Sequence, residues 1–500
     1  MKDNVRSSVI VNLIRTLCLT ILSFISFPYV CSALGSSFMG TYTWLNTFVY
    51  YFLIIAKSGI PNVAIRECSK VQNDKQLLSR KVQEFFIIQA VLTILSFGLM
   101  CAFVFSVPEL LEFKNLIFIL SINFVIGVFS FEWVFIALEK HYFISFRSIS
   151  TTALTSILII SLIKYPTFND MTLYCVLTIS STILTVIINV IAVRKYITFK
   201  YVGPYDFKEH FKPITVVFVI SLMLTIYNST DSFILGFLDK SKTAVANYSV
   251  GIKSIEIIIT LITSLDSVFI PRATKYYKLE NKVFFNNLTK YGFNICLFIA
   301  IPAIATMSIL STQISTIISG GGEGYSDAPL ILIILCSMSL TFSLSDMIYE
   351  QVLIPMKKEK YYLYTLAMGA ILNIGGSISL GLIFKDHPAI GVAIATILTD
   401  AILLINMIFL TKEYVHSAIF NKNTLKIIIA GIAVAICSYF ETLLFASLSA
   451  VLQIVLVVII GAFVYLSLLL LMKEDLVCSF KKKKTAANEL MHTLSSRQRK

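Results

Sequence analysis

The chain has 500 residues, of which 57% are hydrophobic and 14% charged, and its formal net charge is +13. A soluble protein carries nearer to about a quarter charged residues, so this composition excludes a water-soluble globular fold. Apolar runs of about 18 residues or more recur along the whole length, and each predicts a membrane-spanning helix.

Fourteen membrane spans are predicted, in chain order, from the apolar runs and the polar breaks between them. The first seven lie near 9–33, 40–65, 82–107, 115–138, 148–163, 171–193 and 213–238. The other seven lie near 244–271, 291–318, 327–354, 361–384, 389–411, 424–445 and 449–472. No connection is long enough for a separate domain, so the function is expected to lie within the membrane.

The basic residues alternate from one side of the predicted membrane to the other. The N-terminus, the even-numbered loops and the C-terminal tail hold 34 Lys and Arg residues, the odd-numbered loops hold 5, and 2 lie within spans, which accounts for all 41. Because cationic loops stay in the cytoplasm, both termini are predicted to be cytoplasmic. The positive charge therefore reflects membrane topology, and no nucleic-acid partner is expected. The "KKKK" at 481–484 is expected to lie against anionic lipid headgroups.

Spans two and eight share a pattern that predicts an internal repeat. Tyr42 and Tyr248 lie near the outer ends and Arg66 and Arg272 near the inner ends, both pairs 206 residues apart (248 − 42 and 272 − 66). A parallel repeat of this kind predicts two bundles that face a cavity. The predicted fold is all-α and membrane-integral, with two pseudo-symmetric six-helix lobes (1–199 and 200–412) around a central cavity, then spans 13 and 14 (413–472) and a basic cytoplasmic tail (473–500).

Charged residues inside the apolar spans are functional candidates, because an unpaired charge is costly in hydrocarbon. Lys253 and Glu256 share a helix face, since they are three residues apart. Two interpretations stand: an internal ion pair, or a wet face on which Lys253 meets an anionic substrate. Lys57 has no acidic residue three or four positions away, and either snorkels to the inner surface or lines the same cavity.

Acidic residues form a second group of candidates, for ion coupling or as part of a cavity wall. Asp231 follows three polar residues in "YNSTDSF", which lipid alone would leave unsatisfied. It is either a site for a proton or cation, or a hydrogen-bond node between helices. By helical rise, Glu256 and Asp400 lie near mid-membrane, while Asp266 lies toward the inner end of its span.

Signatures of enzymes and cofactors are absent from the sequence. The nine cysteines are scattered without a C-x-x-C pair, and no two of the five histidines lie close together. The "GGGEG" at 320–324 lacks the Lys-Ser/Thr of a phosphate-binding loop. We therefore expect no enzyme activity, no metal and no other cofactor. Energy is expected from an ion gradient, the membrane potential or the gradient of the substrate.

Several stretches resemble one family. They are "EWVFIALEKHYFISFRS" (132–148), "DSFILGFLDKSKTAVANYSVGIKSIE" (231–256), "VFIPRATKYY" (268–277), "EQVLIPMKKEKYY" (350–362) and "AIGVAIATILTDAILL" (389–404). In this order they resemble bacterial polysaccharide repeat-unit flippases (Wzx-like), in the polysaccharide biosynthesis and transport family of the multidrug/oligosaccharidyl-lipid/polysaccharide exporter superfamily. One departure is "FIAL", where relatives often carry a Gln-Gly pair.

The resemblance implies a flippase in the bacterial inner (plasma) membrane that moves a polyprenyl-pyrophosphate-linked oligosaccharide repeat unit, for capsule, O-antigen or a related polysaccharide, to the outer leaflet. It implies membrane lipid, a polysaccharide polymerase and glycosyltransferases as partners. On this reading Lys57, Lys253, Arg66 and Arg272 bind substrate. A lipid II-type flippase and a cation-coupled drug antiporter of the same superfamily are the alternatives. A membrane-bound polymerase would need a large outer loop, and the sequence has none.

Overall fold

The computed structural model describes residues 2–264, 266–279, 281–419 and 421–478, and within these ranges the chain is helical without a strand. The fold is therefore all-α, as predicted. The chain divides into two compact units. Unit 1 comprises residues 1–249 and 318–325, and unit 2 comprises residues 250–317 and 326–500. The predicted lobe boundaries at 199/200 and 412/413 follow the sequence repeat and stay predictions.

Unit 1 begins with two crossings joined at Gly35 and continues through long helices with short ones between them. Its helices are α1 (Lys2–Lys57), α2 (Ile60–Lys70), α3 (Lys75–Ser106), α4 (Pro108–Glu112), α5 (Lys114–Val128), α6 (Glu132–Ala137), α7 (His141–Leu162), α8 (Phe168–Val193), α9 (Lys208–Leu238) and the first part of α10 (Thr243–Thr263). Residues 318–325 also pack in this unit, where the Ser36 backbone N–H donates to the Glu323 carbonyl at 3.3 Å.

Unit 2 holds the rest of α10 and the helices that follow it. These are α11 (Asp266–Lys278), α12 (Lys282–Ile309), α13 (Ser311–Ile318), α14 (Ala328–Leu335), α15 (Met338–Ile348), α16 (Glu359–Ile383), α17 (Pro388–Leu410), α18 (Lys412–Ile419), α19 (Lys422–Leu444) and α20 (Ala450–Leu471). A π-helical turn, Tyr349–Leu353, extends α15.

Thirteen helices in the described part of the chain are long and apolar enough to cross a membrane. The first extends over 57 residues, Ile14–Lys70, which corresponds to about 85 Å of helix against a hydrocarbon core of about 30 Å. Gly35 interrupts it with φ 72° and ψ 170°, a conformation open to glycine, so this stretch provides two crossings. The count then agrees with the predicted fourteen.

Two side chains of α1 show that the chain reverses at Gly35. Arg15 and Lys57 are 42 residues apart, which is about 63 Å along a straight helix. Both nevertheless interact with the same carboxylate, Glu132. Only a hairpin-like reversal brings the two ends of α1 to one place.

The helix breaks repeat with the spacing predicted from Tyr42 and Arg66. α1 ends at Lys57 and α10 at Thr263 (263 − 57 = 206), while α2 begins at Ile60 and α11 at Asp266 (266 − 60 = 206). The long helix that follows each short one, α3 after α2 and α12 after α11, also has a side-chain N-cap: Asp74 accepts from the Gln76 and Leu77 backbone amides, and Asn281 from that of Phe284. The two halves thus share a span, a break and a short inner helix.

Several predicted spans differ from the structure, and the second, fourth and ninth are broken after Lys57, Val128 and Ile309. The fifth was predicted at 148–163, but its helix begins at His141, because the polar start "HYFISFRS" folds as helix inside the protein. The eighth was predicted as one helix over 244–271, but it breaks after Thr263, and the helix that carries Arg272 begins anew at Asp266. Mean hydropathy reveals neither the earlier start of the fifth span nor the break in the eighth, because neither changes the average apolar content of the segment.

Unit 1 holds a buried core rich in aromatic side chains. Short helix α6 places Trp133, Val134 and Phe135 into a buried cluster with Ile60 and Phe85 from α2 and α3. The outward faces of the spanning helices carry exposed apolar side chains, as lipid contact requires. This core fixes the position of Glu132, the first residue of α6.

Candidate functional site

Glu132 and Arg147 form an ion pair in unit 1, in which the Arg147 side chain is buried and the Glu132 side chain is 38% exposed. Phe131 adopts a left-handed conformation (φ 43°) that starts α6, and Glu132 follows it. One Arg147 Nη2–H donates to Glu132 Oε2 at 2.9 Å, and the Nη1 end donates to Asn189 Oδ1. Asn189 Nδ2 in turn donates to the Ser130 carbonyl at 2.5 Å. The network ties α6, α7 and α8 together through charged hydrogen bonds.

One further cation, Arg15, reaches the same carboxylate, and Lys57 lies within range of its charge. Arg15 Nη1 lies 3.7 Å from Glu132 Oε1, and the Lys57 ammonium interacts electrostatically with Glu132. The Lys57 side chain is exposed at the end of α1, one residue before the break. We call Arg15, Lys57, Glu132 and Arg147 the Glu132 cluster. Three cations and one anion give it a formal charge of +2, so it attracts an anionic group.

Arg66, predicted to bind substrate, does not belong to the Glu132 cluster. It lies on α2 with its side chain 61% exposed, and its Nε donates to Glu67 Oε1 at 3.1 Å. Lys70 pairs with the same Glu67 carboxylate at 2.6 Å. The geometry is that of a surface ion pair at the inner end of unit 1.

Asp231 is buried in unit 1, with a specific partner. The Tyr248 hydroxyl donates to Asp231 Oδ2 at 2.5 Å, and the Asp231 residue is 4% exposed. Next to it, the hydroxyls of Tyr51 and Thr230 lie 3.2 Å apart. A buried carboxylate held by hydroxyl groups can take up or release a proton, or accept a cation, with its hydrogen bonds already in place. Both interpretations of Asp231, ion site and hydrogen-bond node, agree with this geometry.

In unit 2, Lys253 and Glu256 are in contact, as their spacing predicted. Lys253 Nζ lies 2.6 Å from Glu256 Oε2, and the two side chains are 15% and 48% exposed. The Lys253 ammonium is therefore largely covered, and Glu256 forms the more accessible end of the pair. The pair lowers the cost of both charges, and it leaves less positive charge for a substrate than Lys253 alone would offer.

The other residues predicted in unit 2 lie in separate places. Asp400 is 2% exposed on α17, where Thr341 Oγ1 donates to its Oδ2 at 3.4 Å. Arg272 is exposed on α11. Asp266 begins the same helix, and its side chain lies outside the described residues.

A polar layer lies between α16 and α17. The Thr365 hydroxyl donates to Asn406 Oδ1 at 3.0 Å across the pair of helices. Asn373, two turns further along α16, is 1% exposed, and within the described residues neither end of its amide has a hydrogen-bond partner. Together with buried Asp400 on α17, this makes the pair of helices the most polar buried region of unit 2 that we describe.

Sequence reasoning missed the long-range partners. Arg147, Asn189 and Tyr248 lie 15, 57 and 17 residues from the carboxylates whose clusters they complete (147 − 132, 189 − 132 and 248 − 231). His210 similarly pairs with Glu84, Nε2 to Oε2 at 2.8 Å, and holds the start of α9 against α3. The one sequence signal for a long-range partner is an unusually polar start to a span, as in "HYFISFRS", which contains Arg147. No group of three or more potential metal ligands occurs in the part of the chain described here.

The sequence matches the family described as "Polysaccharide biosynthesis protein" over residues 5–277, which is 273 of 500 positions (277 − 5 + 1). The chain belongs to this family. The match includes all of unit 1 apart from its short terminal and 318–325 segments, and therefore the Glu132 cluster and Asp231.

Similarity to a relative in Escherichia coli extends over most of the chain. The chain is 21% identical to the "Putative O-antigen transporter" of Escherichia coli (strain K12) over 398 residues, 79% of this chain and 93% of the relative. The structure of "Lipid II flippase MurJ, inward closed conformation" matches 93% of this chain and 99% of its own, with a TM-score of 0.71 and 19% identity.

A "multidrug resistance MATE family transporter of the MOP superfamily" in an inward-facing conformation matches 83% of this chain and 99% of its own. Its TM-score is 0.62 at 15% identity. At these identities the two structural matches show the fold alone. The protein is thus a multi-pass membrane protein with the fold of this transporter superfamily.

Proposed function

We propose that this protein is a flippase that moves a polyprenyl-pyrophosphate-linked oligosaccharide repeat unit from the inner to the outer leaflet of a bacterial plasma membrane by alternating access. The family and the O-antigen relative support the substrate class. The observation that carries the proposal is the Glu132 cluster, with its formal charge of +2 on membrane-spanning helices.

The proposal follows from the energetics of a glycan in a bilayer. Each sugar hydroxyl that loses water without a replacement partner costs about 2–7 kcal/mol, so several sugars set a barrier on the order of tens of kcal/mol. A hydrated path lined by polar and charged side chains removes most of this barrier, while the polyprenyl tail stays in lipid. The cations Arg15 and Lys57 offset the negative charge of the pyrophosphate.

We propose three further substrate contacts, Lys253, Arg66 and Arg272, of which the first two offer the substrate less positive charge than Lys57 does. Lys253 is paired with Glu256, and Arg66 with Glu67, so each offers a partly neutralised charge. Arg272 is exposed on α11 and is placed to meet a headgroup near the inner end of unit 2.

For energy coupling, we propose that Asp231 and Asp400 take up the coupling proton or cation. Each is a buried carboxyl group held by a hydroxyl donor, Tyr248 or Thr341. Glu256 is exposed enough to exchange ions with water, and Asp266 is retained as a cavity carboxylate from the sequence. On this proposal the protein transports and does not catalyse, its termini are cytoplasmic, and its product feeds a polysaccharide polymerase.

The test is export in cells that lack their own repeat-unit flippase. Lys57→Ala is expected to lower surface polysaccharide at least about ten-fold and to cause lipid-linked repeat units to accumulate, because one charge-assisted phosphate contact is lost. Lys57→Arg is expected to retain most of the export, and Lys70→Ala, which removes an exposed lysine of α2, all of it. Normal export by Lys57→Ala at normal protein level would contradict the role of the cluster.

Purified protein in proteoliposomes distinguishes the alternatives. A flippase for repeat units moves a fluorescent polyprenyl-pyrophosphate oligosaccharide and leaves a cationic dye in place. Movement of lipid II alone would support the lipid II-type alternative, and ion-driven efflux of the dye alone would support the drug antiporter.

A further inference from the structure

A pocket of about 590 Å³ opens at a lysine-rich end of unit 2, and its lining residues are distinct from the residues proposed for transport. Three connections meet there: the turn between α11 and α12, the turn after the π-helical segment, and the short helix α18. In membrane proteins, basic pockets between helices on the cytoplasmic side bind anionic lipid headgroups.

The floor and walls of the pocket are aromatic and well packed. Phe285, 1% exposed, forms the floor, and Tyr414 meets it edge-on with ring centroids 5.6 Å apart and an interplanar angle of 88°. Tyr277 also packs on Phe285, at 5.6 Å. Buried Pro355 adds a rigid side to the wall. Tyrosines with an apolar body and a polar tip are typical of the membrane interface, where glycerol and the first acyl carbons lie.

The hydroxyl of Tyr414 adds a hydrogen-bond donor inside this wall. Removal of water around the ring raises the pKa of Tyr414, with a further contribution from the charge of Glu413. The phenol therefore stays neutral at physiological pH and keeps its proton available for donation to a phosphate oxygen.

The mouth of the pocket carries the positive charge. Lys278, Lys282 and Lys357 line it with exposed side chains. Glu413 Oε1 lies 3.7 Å from Lys282 Nζ and offsets one of the three charges. A formal charge of +2 remains around an aromatic cavity, which suits an anionic phosphate diester attached to an apolar body.

We propose that this pocket binds the headgroup of an anionic phospholipid of the cytoplasmic leaflet. The phosphate lies among the three lysines, and the glycerol and the proximal acyl carbons lie against Tyr277, Phe285 and Tyr414. A soluble phosphate ester would use the same lysines but would leave the aromatic floor without a partner. The inference does not depend on the proposed function, because it rests on unit 2 residues outside the transport site.

The experiment counts phospholipids on the full-length, detergent-purified protein by native mass spectrometry during titration with phosphatidylglycerol or phosphatidylcholine. Wild type is expected to prefer phosphatidylglycerol. The variant K278Q/K282Q/K357Q is expected to bind it at least about ten-fold more weakly, since each lysine near an anionic headgroup contributes on the order of a factor of five. The matched control K200Q/K208Q/K212Q removes three exposed lysines of unit 1 and is expected to bind like wild type.

Tyr414→Leu distinguishes lipid binding in a pocket from lipid binding to a basic surface. It keeps every charge and removes only the aromatic ring and the hydroxyl of this residue. It is expected to weaken phosphatidylglycerol binding several-fold. Three results would overturn the inference: equal loss in the control variant, unchanged binding by Tyr414→Leu, or displacement of the lipid by glycerol 1-phosphate at matched concentration, which would assign the site to a soluble phosphate ester.

Discussion

Arg147 is a residue whose importance depends on contacts that its sequence neighbours do not reveal. Its guanidinium is buried between Glu132 and Asn189. We expect Arg147→Met to lower the free energy of unfolding by about 1–3 kcal/mol, because it leaves the buried Asn189 side chain without its charged hydrogen-bond donor. Arg66→Met, which removes an exposed pair with Glu67, should cost no more than about 1 kcal/mol. Thermal unfolding in detergent compares the two; equal costs would show that the Arg147 network adds no stability.

Asp231 and Tyr248 should act as one unit. Their hydrogen bond is short and buried, and Asp231→Ala and Tyr248→Phe each remove one of its two partners. In a double-mutant cycle on transport rate or stability, we expect a coupling free energy of about 0.5–3 kcal/mol, and the double variant should be no worse than the poorer single variant. Additive effects would show that the hydroxyl does not hold the carboxylate.

At the scale of helices, the break between α1 and α2 has a steric basis. Gly59 has φ 69°, and a Cβ placed on it would lie 2.5 Å from Val217 Cγ1. We expect Gly59→Ala to destabilise the protein by about 1–3 kcal/mol. Gly98→Ala, in the interior of α3 with open space around the added atom, should be neutral or stabilising by up to about 1 kcal/mol. Thermal unfolding of both variants checks this, and equal behaviour would contradict the strain at Gly59.

A second prediction at this scale concerns the outer connections of unit 2. His387 Nδ1 lies 2.8 Å from Asp327 Oδ2, and this hydrogen bond raises the pKa of His387. A raised pKa means that the pair contributes stability at pH values below the ordinary pKa of histidine and loses it as pH rises through the higher folded value. The melting temperature of wild type should therefore fall, relative to His387→Gln, as pH increases from about 6 to 8. Parallel curves for the two proteins would refute the pairing.

The helices were largely predictable because lipid imposes a length and a composition on each span. The break after Thr263 was not, since it lies inside an apolar run, whereas the "KSGIPN" at 57–62 carries the Gly and Pro of a break that the predicted second span passed over. The contact of Lys253 with Glu256 followed from a spacing of three residues on one helix. The partners of Glu132 and Asp231 belong to other helices, and the sequence does not specify which helix faces lie together.

For the molecule as a whole, the repeat relates the spans of one half to those of the other, but the charged residues of the two halves do not correspond. With an offset of 206 residues, Lys57 corresponds to Thr263, not to Lys253 (57 + 206 = 263). The two halves therefore share a backbone plan, while the exposed lysine at the end of α1 belongs to the first half alone. We infer that substrate anions are met mainly by unit 1 and that the buried carboxyl Asp400 gives unit 2 a different part in the cycle.

The orientation of the whole chain is predicted from the 34-to-5 division of Lys and Arg residues. Alkaline phosphatase folds to its active form outside the cytoplasm, so fusions after Pro166 or Lys385 should be active. Fusions after Gly203 or Lys358 should be inactive there, and fluorescent-protein fusions at the same sites should give the opposite pattern. Active phosphatase at Gly203 would show that the predicted topology is inverted. The Glu132 cluster and the phospholipid pocket would then not lie on the cytoplasmic side.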